Sequence, residues 1–170
     1  NSVVAVNIQT GEYRWHFQTI HHDLWDADPP APPVLFDIAD ESGPVPALGV
    51  TTKSGYLYIL NRETGQPVFG VEERAVAQSE VPGEMTSLTQ PIPVKPPPVA
   101  RVSYTSDDLV GAADTTAEHA MACAELVETH GELYNAGPFT PWVYRAEGAS
   151  PRSTLLFPGL VGGPNWGGAA

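Results

Sequence analysis

Two stretches of this chain, "SVVAVNIQTGEYRWHF" (2–17) and "YLYILNRETGQPVFGV" (56–71), are copies of one pattern that decides the fold class. They align without gaps at a spacing of 54 residues. Each copy has an alternating apolar run, a polar turn ending in Thr-Gly and a second short run with an aromatic residue. The matched positions are Asn7 and Asn61, Thr10-Gly11 and Thr64-Gly65, and Trp15 and Phe69. Alternating strands around a short glycine-bearing turn predict a β-hairpin in each copy.

Two further strand candidates lie between the copies, at "PPVLFDI" (32–38) and "VPALGVTTKSG" (45–55). Together with the second hairpin they make four strands, which is the number of strands in one propeller blade. Repeats of about 40 to 50 residues built from short strands indicate a β-propeller. A helical repeat is disfavoured because neither copy contains a run of 3.6-residue periodicity. The sequence therefore predicts an all-β fold with four-stranded antiparallel sheets.

The pattern divides the chain into three parts of one incomplete propeller domain. Residues 1–71 are predicted to form blade segments, 72–150 a Pro-rich and helical insertion, and 151–170 the start of the next blade. Strand character returns at "STLLFPG" (153–159), and "GPNWGGAA" (163–170) reads as the start of another strand. The first residue is not Met and the last segment has no terminating cap, so we expect an excised piece of a longer polypeptide, called the parent protein below.

The insertion contains an extended segment and a helix. The Pro-rich stretch 79–101 has no periodicity and is expected to be extended, since proline restricts itself and the preceding residue. The stretch 115–132 predicts a helix with a capping box between Thr115 and Glu118 and a C-terminal stop at Gly131. The helix carries an apolar stripe that consists of Ala117, Met121, Ala124 and Val127.

Composition excludes several classes of protein. Glycine and proline make up a fifth of the chain, 16 and 18 of 170 residues, which favours turns and loops over long helices. The formal net charge of −12 argues against binding to nucleic acid, whose phosphates repel an acidic surface. The single cysteine, Cys123, excludes an internal disulfide framework and a multi-cysteine zinc site, and its position in the predicted helix indicates an inert thiol.

The stretch "TIHHDLWDADPPAPP" (19–33) concentrates acids and histidines, and it admits a metal site, a catalytic base or a solvated turn. Asp26 stands between a large aromatic residue and a Pro-bounded strand, where a carboxylate can be rigid and partly desolvated, as a general base requires. His21 and His22 are adjacent and would point to opposite faces of a strand, so they do not suit one metal. Asp26 and Asp28 could face the same side and bind a hard cation. Spacing alone favours an Asp- and Pro-rich turn with ordinary capping contacts.

Three residues outside this stretch are candidates for binding. Lys53 ends a predicted strand just before a turn, although most lysines are simply exposed. Asn165 and Trp166 lie among glycines that would allow close approach to a flat ligand or to a neighbouring blade. A tryptophan packed in a blade core is the plainer interpretation of Trp166.

These motifs, taken in order, resemble the pyrroloquinoline-quinone (PQQ) dependent alcohol and sugar dehydrogenases, which are eight-bladed quinoprotein propellers. The resemblance rests on six collinear stretches and covers nearly the whole chain. The stretches are "TGEYRWHFQTIHHDLWDADPPAPPVLFDI", "TTKSGYLYILNRETGQPV", "EMTSLTQPIPVKPPP", "GPFTP", "STLLFPG" and "GGPNWGGAA". The string His-His-Asp-Leu-Trp-Asp is most similar to the glucose and quinate dehydrogenase branch. A partial propeller of about two blades is the fold that this resemblance implies.

The resemblance assigns a role to each candidate. Asp26 matches the catalytic base that removes the hydroxyl proton of a sugar or alcohol while a hydride passes to PQQ. Lys53 matches the basic residue that hydrogen-bonds the quinone oxygens, and Asn165 and Trp166 fall where the family has an Asn-Trp pair near the cofactor. Asp26 and Asp28 match acids near the bound cation, which is usually Ca²⁺ but in some relatives a lanthanide or another divalent ion.

The resemblance also implies partners and a compartment. Ubiquinone or a cytochrome would accept the electrons, and the parent protein would be periplasmic, with a membrane-associated form among the possibilities. The family's other metal ligands and one face of its cofactor site would lie upstream of this chain. The rival hypothesis is a non-catalytic propeller scaffold built from the same repeats, which would have no use for Asp26 and Lys53.

Overall fold

The computed structural model describes residues 1–41 and 43–170, and most of its regular structure is β-strand. The elements in chain order are β1 (Ser2–Val6), β2 (Tyr13–Gln18), β3 (Val34–Ile38), β4 (Val45–Thr51), β5 (Leu57–Asn61), β6 (Val71–Ala75), β7 (Thr89–Pro93), a 3₁₀ turn (Ser106–Asp108), α1 (Ala117–His130), β8 (Glu132–Tyr134) and β9 (Arg152–Thr154).

The two repeat copies form the same turn with the same hydrogen bonds. The amide of Asn7 donates to the carbonyl of Glu12 and that of Asn61 to Gln66, each at 2.8 Å. The side-chain oxygen of each asparagine accepts from the backbone N–H groups two and three residues on, at 2.9 and 3.1 Å in both copies. The closing glycine has φ +75° in both turns, which is a backbone conformation that favours glycine. The predicted repeat is confirmed at this turn.

The first copy is a complete antiparallel hairpin of β1 and β2, with a register shift between Ala5 and Val6. In the second copy, the two strands separate soon after the turn. Pro67 makes an isolated bridge to Leu60, and the amide of Val68 donates to the carbonyl of Ile59 at 2.9 Å. The chain then leaves this sheet, and β6 pairs with β7 instead.

The central sheet has the order β3-β4-β5, with both pairs antiparallel. The two strand candidates before the second hairpin are confirmed, although β4 ends at Thr51, short of the predicted limit at residue 55. The prediction of a regular four-stranded blade is wrong for the described residues, since the fourth strand is reduced to the Pro67 bridge. Proline at this position lacks the N–H that a regular ladder needs.

One tryptophan joins the two repeats. The Trp15 indole lies directly on the turn of the second hairpin, where a Cβ added to Gly65 would come within 2.6 Å of its ring. Its Nε1–H donates to the carbonyl of Arg62 at 3.2 Å, and the side chain is buried. The glycine of the repeated turn therefore serves two purposes, the positive φ and the space for an aromatic ring.

The Pro-rich stretch contains a regular strand that the sequence did not reveal. β7 pairs antiparallel with β6, from Val71 opposite Pro93 to Ala75 opposite Thr89. Prolines 91 and 93 are tolerated there because this sheet has two strands only, so one edge of β7 needs no ladder hydrogen bonds.

The predicted helix is present, with a different cap. The Thr116 hydroxyl, not that of Thr115, accepts from the amide of His119, so the expected capping box with Glu118 does not form. Gly131 ends the helix as predicted, with φ +74°, and a Cβ there would collide with the carbonyl of Pro151. No residue of α1 is buried and Met121 is 66% exposed; of the predicted apolar stripe only Val127 is half-buried, in a pocket that Leu109 and Leu133 also line.

The last part of the chain departs furthest from prediction. β9 pairs in parallel with β8, which follows α1 directly, and it ends at Thr154 rather than at residue 159. The glycine-rich stretch 163–170 consists of turns and irregular backbone, so the expected start of a strand is wrong. Where the structure describes the chain, it contains no helix long and apolar enough to cross a membrane.

The core lies between the central sheet, β7 and the loop that follows β2. Its members are Trp15, Ile20, Trp25, Ala27, Leu48, Val50, Tyr56, Tyr58, Leu60, Ile92 and Phe139. Tyr58 on β5 is fully buried, and its hydroxyl lies 3.0 Å from the carbonyl oxygen of Thr19 and 2.8 Å from that of Pro91. Burial raises the pKa of this hydroxyl far above its usual range. Tyr58 thus ties three segments of the chain together.

Replacing Tyr58 with phenylalanine in the parent protein is expected to lower the free energy of unfolding by about 1–3 kcal/mol, because two buried carbonyl groups lose their donor. Chemical denaturation measures the change. Tyr13→Phe is the matched control, since Tyr13 is 60% exposed and its hydroxyl contacts His16 at the surface. We expect the control to change stability by less than about 0.5 kcal/mol. Equal losses in the two variants would contradict this role for Tyr58.

Candidate functional site

The site is built on the loop between β2 and β3, and we call residues 19–28 the site loop. The start of the loop is held by a side chain that makes the two hydrogen bonds that the backbone of a neighbouring strand would make. Gln90 on β7 is fully buried, accepts from the amide of His21 at 2.8 Å and donates to the carbonyl of His21 at 2.7 Å. Thr19 is also fully buried and donates to the carbonyl of Asn1 through both its amide and its hydroxyl.

The middle of the site loop is a tight turn organised by Asp23. Its Oδ1 accepts from the amide of Trp25 and its Oδ2 from the amide of Ala27, both at 2.9 Å. Asp26, which lies between those two residues, has φ +56°, in the left-handed region that residues other than glycine seldom adopt. The turn therefore presents Asp26 outward while its neighbours point into the protein.

Trp25 anchors the turn in the core. Its indole Nε1–H donates to the carbonyl of Thr140 at 2.7 Å, and its ring lies 5.5 Å from that of Phe139. The side chain is only 8% exposed. The aromatic residue next to Asp26 therefore fixes the backbone, and residues 139 and 140 of the insertion contribute to that fixation, which the sequence did not predict.

Lys53 lies opposite Asp26, on the turn that joins β4 and β5. The two segments are joined through the backbone, because the amide of Lys53 donates to the carbonyl of Asp28 at 3.0 Å. The ammonium Nζ is 2.8 Å from Asp26 Oδ2 and 2.8 Å from Asp28 Oδ1. The structure thus brings together three of the predicted site residues.

The two carboxylates fix the charge of the lysine. The hydrogen bond to Asp26 is the main cause that raises the pKa of the Lys53 ammonium above its usual 10.5, and the nearby Asp28 carboxylate adds to it. Lys53 is therefore a cation throughout the neutral and mildly alkaline range. Its side chain is 16% exposed, so the positive charge is sheltered and held in one place.

Asp26 and Asp28 differ in their surroundings. Asp28 Oδ1 is shielded from solvent, and its contact with Lys53 is an ion pair without the directionality of a hydrogen bond. The Asp26 side chain is 85% exposed and makes a directed hydrogen bond with Lys53. The expectation that Asp26 is partly desolvated is wrong for the described residues, because the turn that holds it rigid also points it outward.

A small apolar cavity lies beside Lys53. Its volume is about 40 Å³, and its lining includes Trp25, Phe139, Phe157 and Pro158. A space of this size holds a few water molecules and not a tricyclic quinone. The described residues therefore supply a fixed cation and a carboxylate beside this cavity, which is itself too small for a large cofactor.

Asn165 and Trp166 are not joined to the Asp26–Lys53 pair in the described structure. Asn165 donates to the carbonyl of Val161 at 2.9 Å, and Trp166 is 84% exposed. Their segment does pass close to the site, since the amide of Gly163 donates to the carbonyl of Lys53. A cofactor-binding role for Asn165 and Trp166 stays a prediction.

The donors needed for a metal site are incomplete here. Among residues 1–41 and 43–170, no group of three or more His, Cys, Asp or Glu side chains could hold an ion. Asp26 and Asp28 each direct one carboxylate oxygen at the Lys53 ammonium. These residues do not by themselves fit a Ca²⁺ site, which takes six to eight oxygen ligands.

His21 makes a further ion pair that braces the site loop against β6. Its Nε2 lies 3.0 Å from Glu73 Oε1, and the Thr89 hydroxyl donates to Glu73 Oε2 at 2.7 Å. The hydrogen bond from His21 is the main cause that lowers the pKa of Glu73 below its usual 4.5. His21 is thereby occupied as a structural partner and does not converge with His22, which is exposed.

The Glu73 contact predicts a specific acid sensitivity. A carboxyl whose folded-state pKa is lowered stabilises the fold above its unfolded pKa, and that stabilisation disappears as the pH falls through the folded value. We expect Glu73→Gln to cost less than about 1 kcal/mol at pH 7, since the pair is partly exposed, and progressively less below pH 4.5. Denaturation of the parent protein from pH 7 to pH 3 measures this, with Glu72→Gln as control. A constant difference across that range would contradict the assignment.

Comparison with known proteins places this site in a family. The family model described as "PQQ: Glucose/ethanol/alcohol dehydrogenase, beta-propeller domain" matches residues 1–170. The chain is 37% identical to quinoprotein glucose dehydrogenase of Gluconobacter oxydans over 172 residues, which cover 99% of this chain and 19% of that protein. It is also 37% identical to a probable quinate dehydrogenase (quinone) of Xanthomonas campestris pv. juglandis, over 98% of this chain and 20% of that protein.

Among solved structures, the quinohemoprotein alcohol dehydrogenase of Comamonas testosteroni matches 55% of this chain and 13% of its own, at 27% identity and a TM-score of 0.39. The small, mostly antiparallel sheets of this chain fit part of a β-propeller, which is the domain that the family model describes. The chain belongs to the PQQ-dependent dehydrogenase β-propeller family. It spans about a fifth of the length of the curated relatives given above.

Proposed function

We propose that the parent protein is a PQQ-dependent dehydrogenase that oxidises a hydroxyl group of a sugar or alcohol, with Asp26 as general base. The observation that carries this proposal is the ion pair between Asp26 and Lys53 at 2.8 Å. It places a rigid, outward carboxylate next to a permanent cation, on a chain whose relatives are named as quinoprotein dehydrogenases. Proton removal and stabilisation of negative charge are the two tasks that such an oxidation gives to the protein.

Each residue has a distinct part in this chemistry. Asp26 would accept the hydroxyl proton of the substrate at the carboxylate oxygen that does not face Lys53. Lys53 would hold its ammonium against the oxygens of the quinone, because a cation that is always charged can stabilise negative charge without first gaining a proton. When bound, PQQ supplies the acceptor for the hydride. Asp28 would keep Lys53 in place when Asp26 takes up a proton and loses its charge.

Other features of the parent protein are proposals by family resemblance. These are eight blades, Ca²⁺ or another divalent or lanthanide ion as second cofactor, ubiquinone or a cytochrome as electron acceptor, and a periplasmic, membrane-associated location. Metal ligands beyond Asp26 and Asp28 would come from other parts of the parent protein. We also propose the division into blade segments (1–71), insertion (72–150) and the start of a blade (151–170).

Reconstitution tests the function directly. Purified parent protein, freed of cofactor, is titrated with PQQ in the presence of Ca²⁺, and dye reduction is followed with glucose, quinate, glycerol and ethanol as substrates. We expect saturable PQQ binding and turnover of at least one of these hydroxyl compounds. Folded parent protein that binds no PQQ would overturn the proposal and support the scaffold hypothesis.

A further inference from the structure

Asp23 accepts two backbone hydrogen bonds within the turn that carries Asp26, and we propose that Asp23 is the positioning residue for the catalytic carboxylate. This inference rests on the proposed function of Asp26. Asp23 binds the amide of Trp25 with one oxygen and the amide of Ala27 with the other, each at 2.9 Å. The two hydrogen bonds bracket Asp26 on both sides, so Asp23 acts on the backbone of Asp26 and not on a reacting atom.

The conformation of Asp26 explains why such a bracket is needed. Residues other than glycine seldom adopt the left-handed region because it is strained for them, so surrounding contacts must hold Asp26 there. Trp25 and Ala27 are 8% and 7% exposed, which fixes both neighbours in the protein interior. The bracket keeps the backbone between these two anchors in the one conformation that turns the Asp26 side chain outward, toward Lys53.

A carboxylate suits this position because both of its oxygens only accept hydrogen bonds. An asparagine would keep one acceptor and turn an NH₂ group toward a backbone N–H, so one of the two bonds would be lost. An alanine would lose both. We therefore expect kcat to decrease in the order wild type, Asp23→Asn and Asp23→Ala, because these retain two, one and none of the hydrogen bonds.

Loss of the bracket should relax Asp26 toward a negative φ and move its carboxylate away from the position set by Lys53. A displacement of about 1 Å at a reacting group can cost on the order of 10²-fold in rate. We expect kcat per PQQ-loaded site of Asp23→Ala to fall about 10- to 100-fold, with KM and PQQ affinity changed less than about threefold. We expect Asp23→Asn to lie between Asp23→Ala and the wild type.

Hydrogen exchange gives a readout that does not depend on turnover. The amide protons of Trp25 and Ala27 are protected by Asp23, so they should exchange at least about tenfold faster in the Asp23→Ala parent protein without cofactor. Asp114→Ala is the matched control, because Asp114 accepts from the amide of Gly111 at 2.8 Å in a turn outside the site loop. The control should leave kcat per loaded site within twofold.

The outcomes separate this inference from the proposed function. Normal kcat per loaded site in Asp23→Asn and in folded Asp23→Ala, with Asp26→Asn inactive, would overturn the positioning role alone. An active Asp26→Asn would overturn the proposed base and this inference with it. If Asp23→Ala does not fold, Asp23→Asn decides, and a kcat per loaded site equal to the wild type would then be contrary to the inference.

Discussion

Asp26→Asn in the parent protein is expected to lower kcat by about 10²- to 10⁴-fold, the range that a positioned general base contributes. The amide keeps the size of the side chain and one oxygen that can accept from Lys53, but it cannot take the hydroxyl proton. KM and PQQ affinity should therefore change little. Steady-state dye reduction, normalised to the amount of bound PQQ, measures the effect.

Asp37→Asn is the matched control for this substitution. Asp37 lies on β3, is 58% exposed and pairs with Arg62 at 2.8 Å, so it is an ion-paired aspartate outside the site loop. We expect its kcat to stay within twofold of the wild type. Unchanged kcat in Asp26→Asn would remove the base assignment, and an equal loss in both variants would indicate a general effect of neutralising an aspartate.

The second large effect is expected from Lys53→Ala, which should lower kcat by at least about 10²-fold, as removal of one charge-stabilising donor does in other enzymes. The substitution also leaves Asp26 and Asp28 facing the same space without a cation between them, so PQQ binding should weaken too. Stability should fall by less than activity does, because the Asp26 carboxylate is 85% exposed and water can solvate it once the ammonium is gone. Turnover, PQQ titration and thermal unfolding are measured together.

Lys95→Ala controls for the loss of a lysine, because Lys95 is exposed two residues beyond the end of β7. It should retain activity and PQQ affinity. The proposal for Lys53 would be refuted by a variant that is strongly destabilised yet keeps its specific activity in the folded fraction. That result would mean that Lys53 serves the fold and not the quinone.

Local patterns in the sequence predicted local structure well. The turns at Asn7 and Asn61 follow from an asparagine, a Thr-Gly and alternating strands within one short window, and both form as expected. The helix cap was misplaced by one position because two threonines stand side by side, and it is Thr116 that has the extended backbone of a cap and accepts from His119. The pairing of β8 with β9 joins residues that are 20 apart in sequence, which no short-range pattern specifies.

The structure brings three of the predicted site residues together, namely Asp26, Asp28 and Lys53, but the sequence did not predict how they contact one another. Asp26 and Lys53 are separated by 27 positions, and family resemblance, not spacing, brought them together. The second ion pair of Lys53 with Asp28 was not expected, because a carboxylate two residues away was interpreted as a metal ligand. Asp23 had a detectable signal, since an aspartate two residues before a buried amide often closes a turn. Gln90 had none.

The two hydrogen bonds between Gln90 and His21 attach the site loop to β7, although the loop itself does not form a strand. The side-chain amide offers one donor and one acceptor, the same pair that a peptide group of an adjacent strand would present. The residues after His21 therefore do not need a high propensity for β-strands, and they include the aspartates and prolines that shape the site. Such an anchor uses only the backbone of residue 21, so the side chains that follow it can change without loss of the hydrogen bonds to β7.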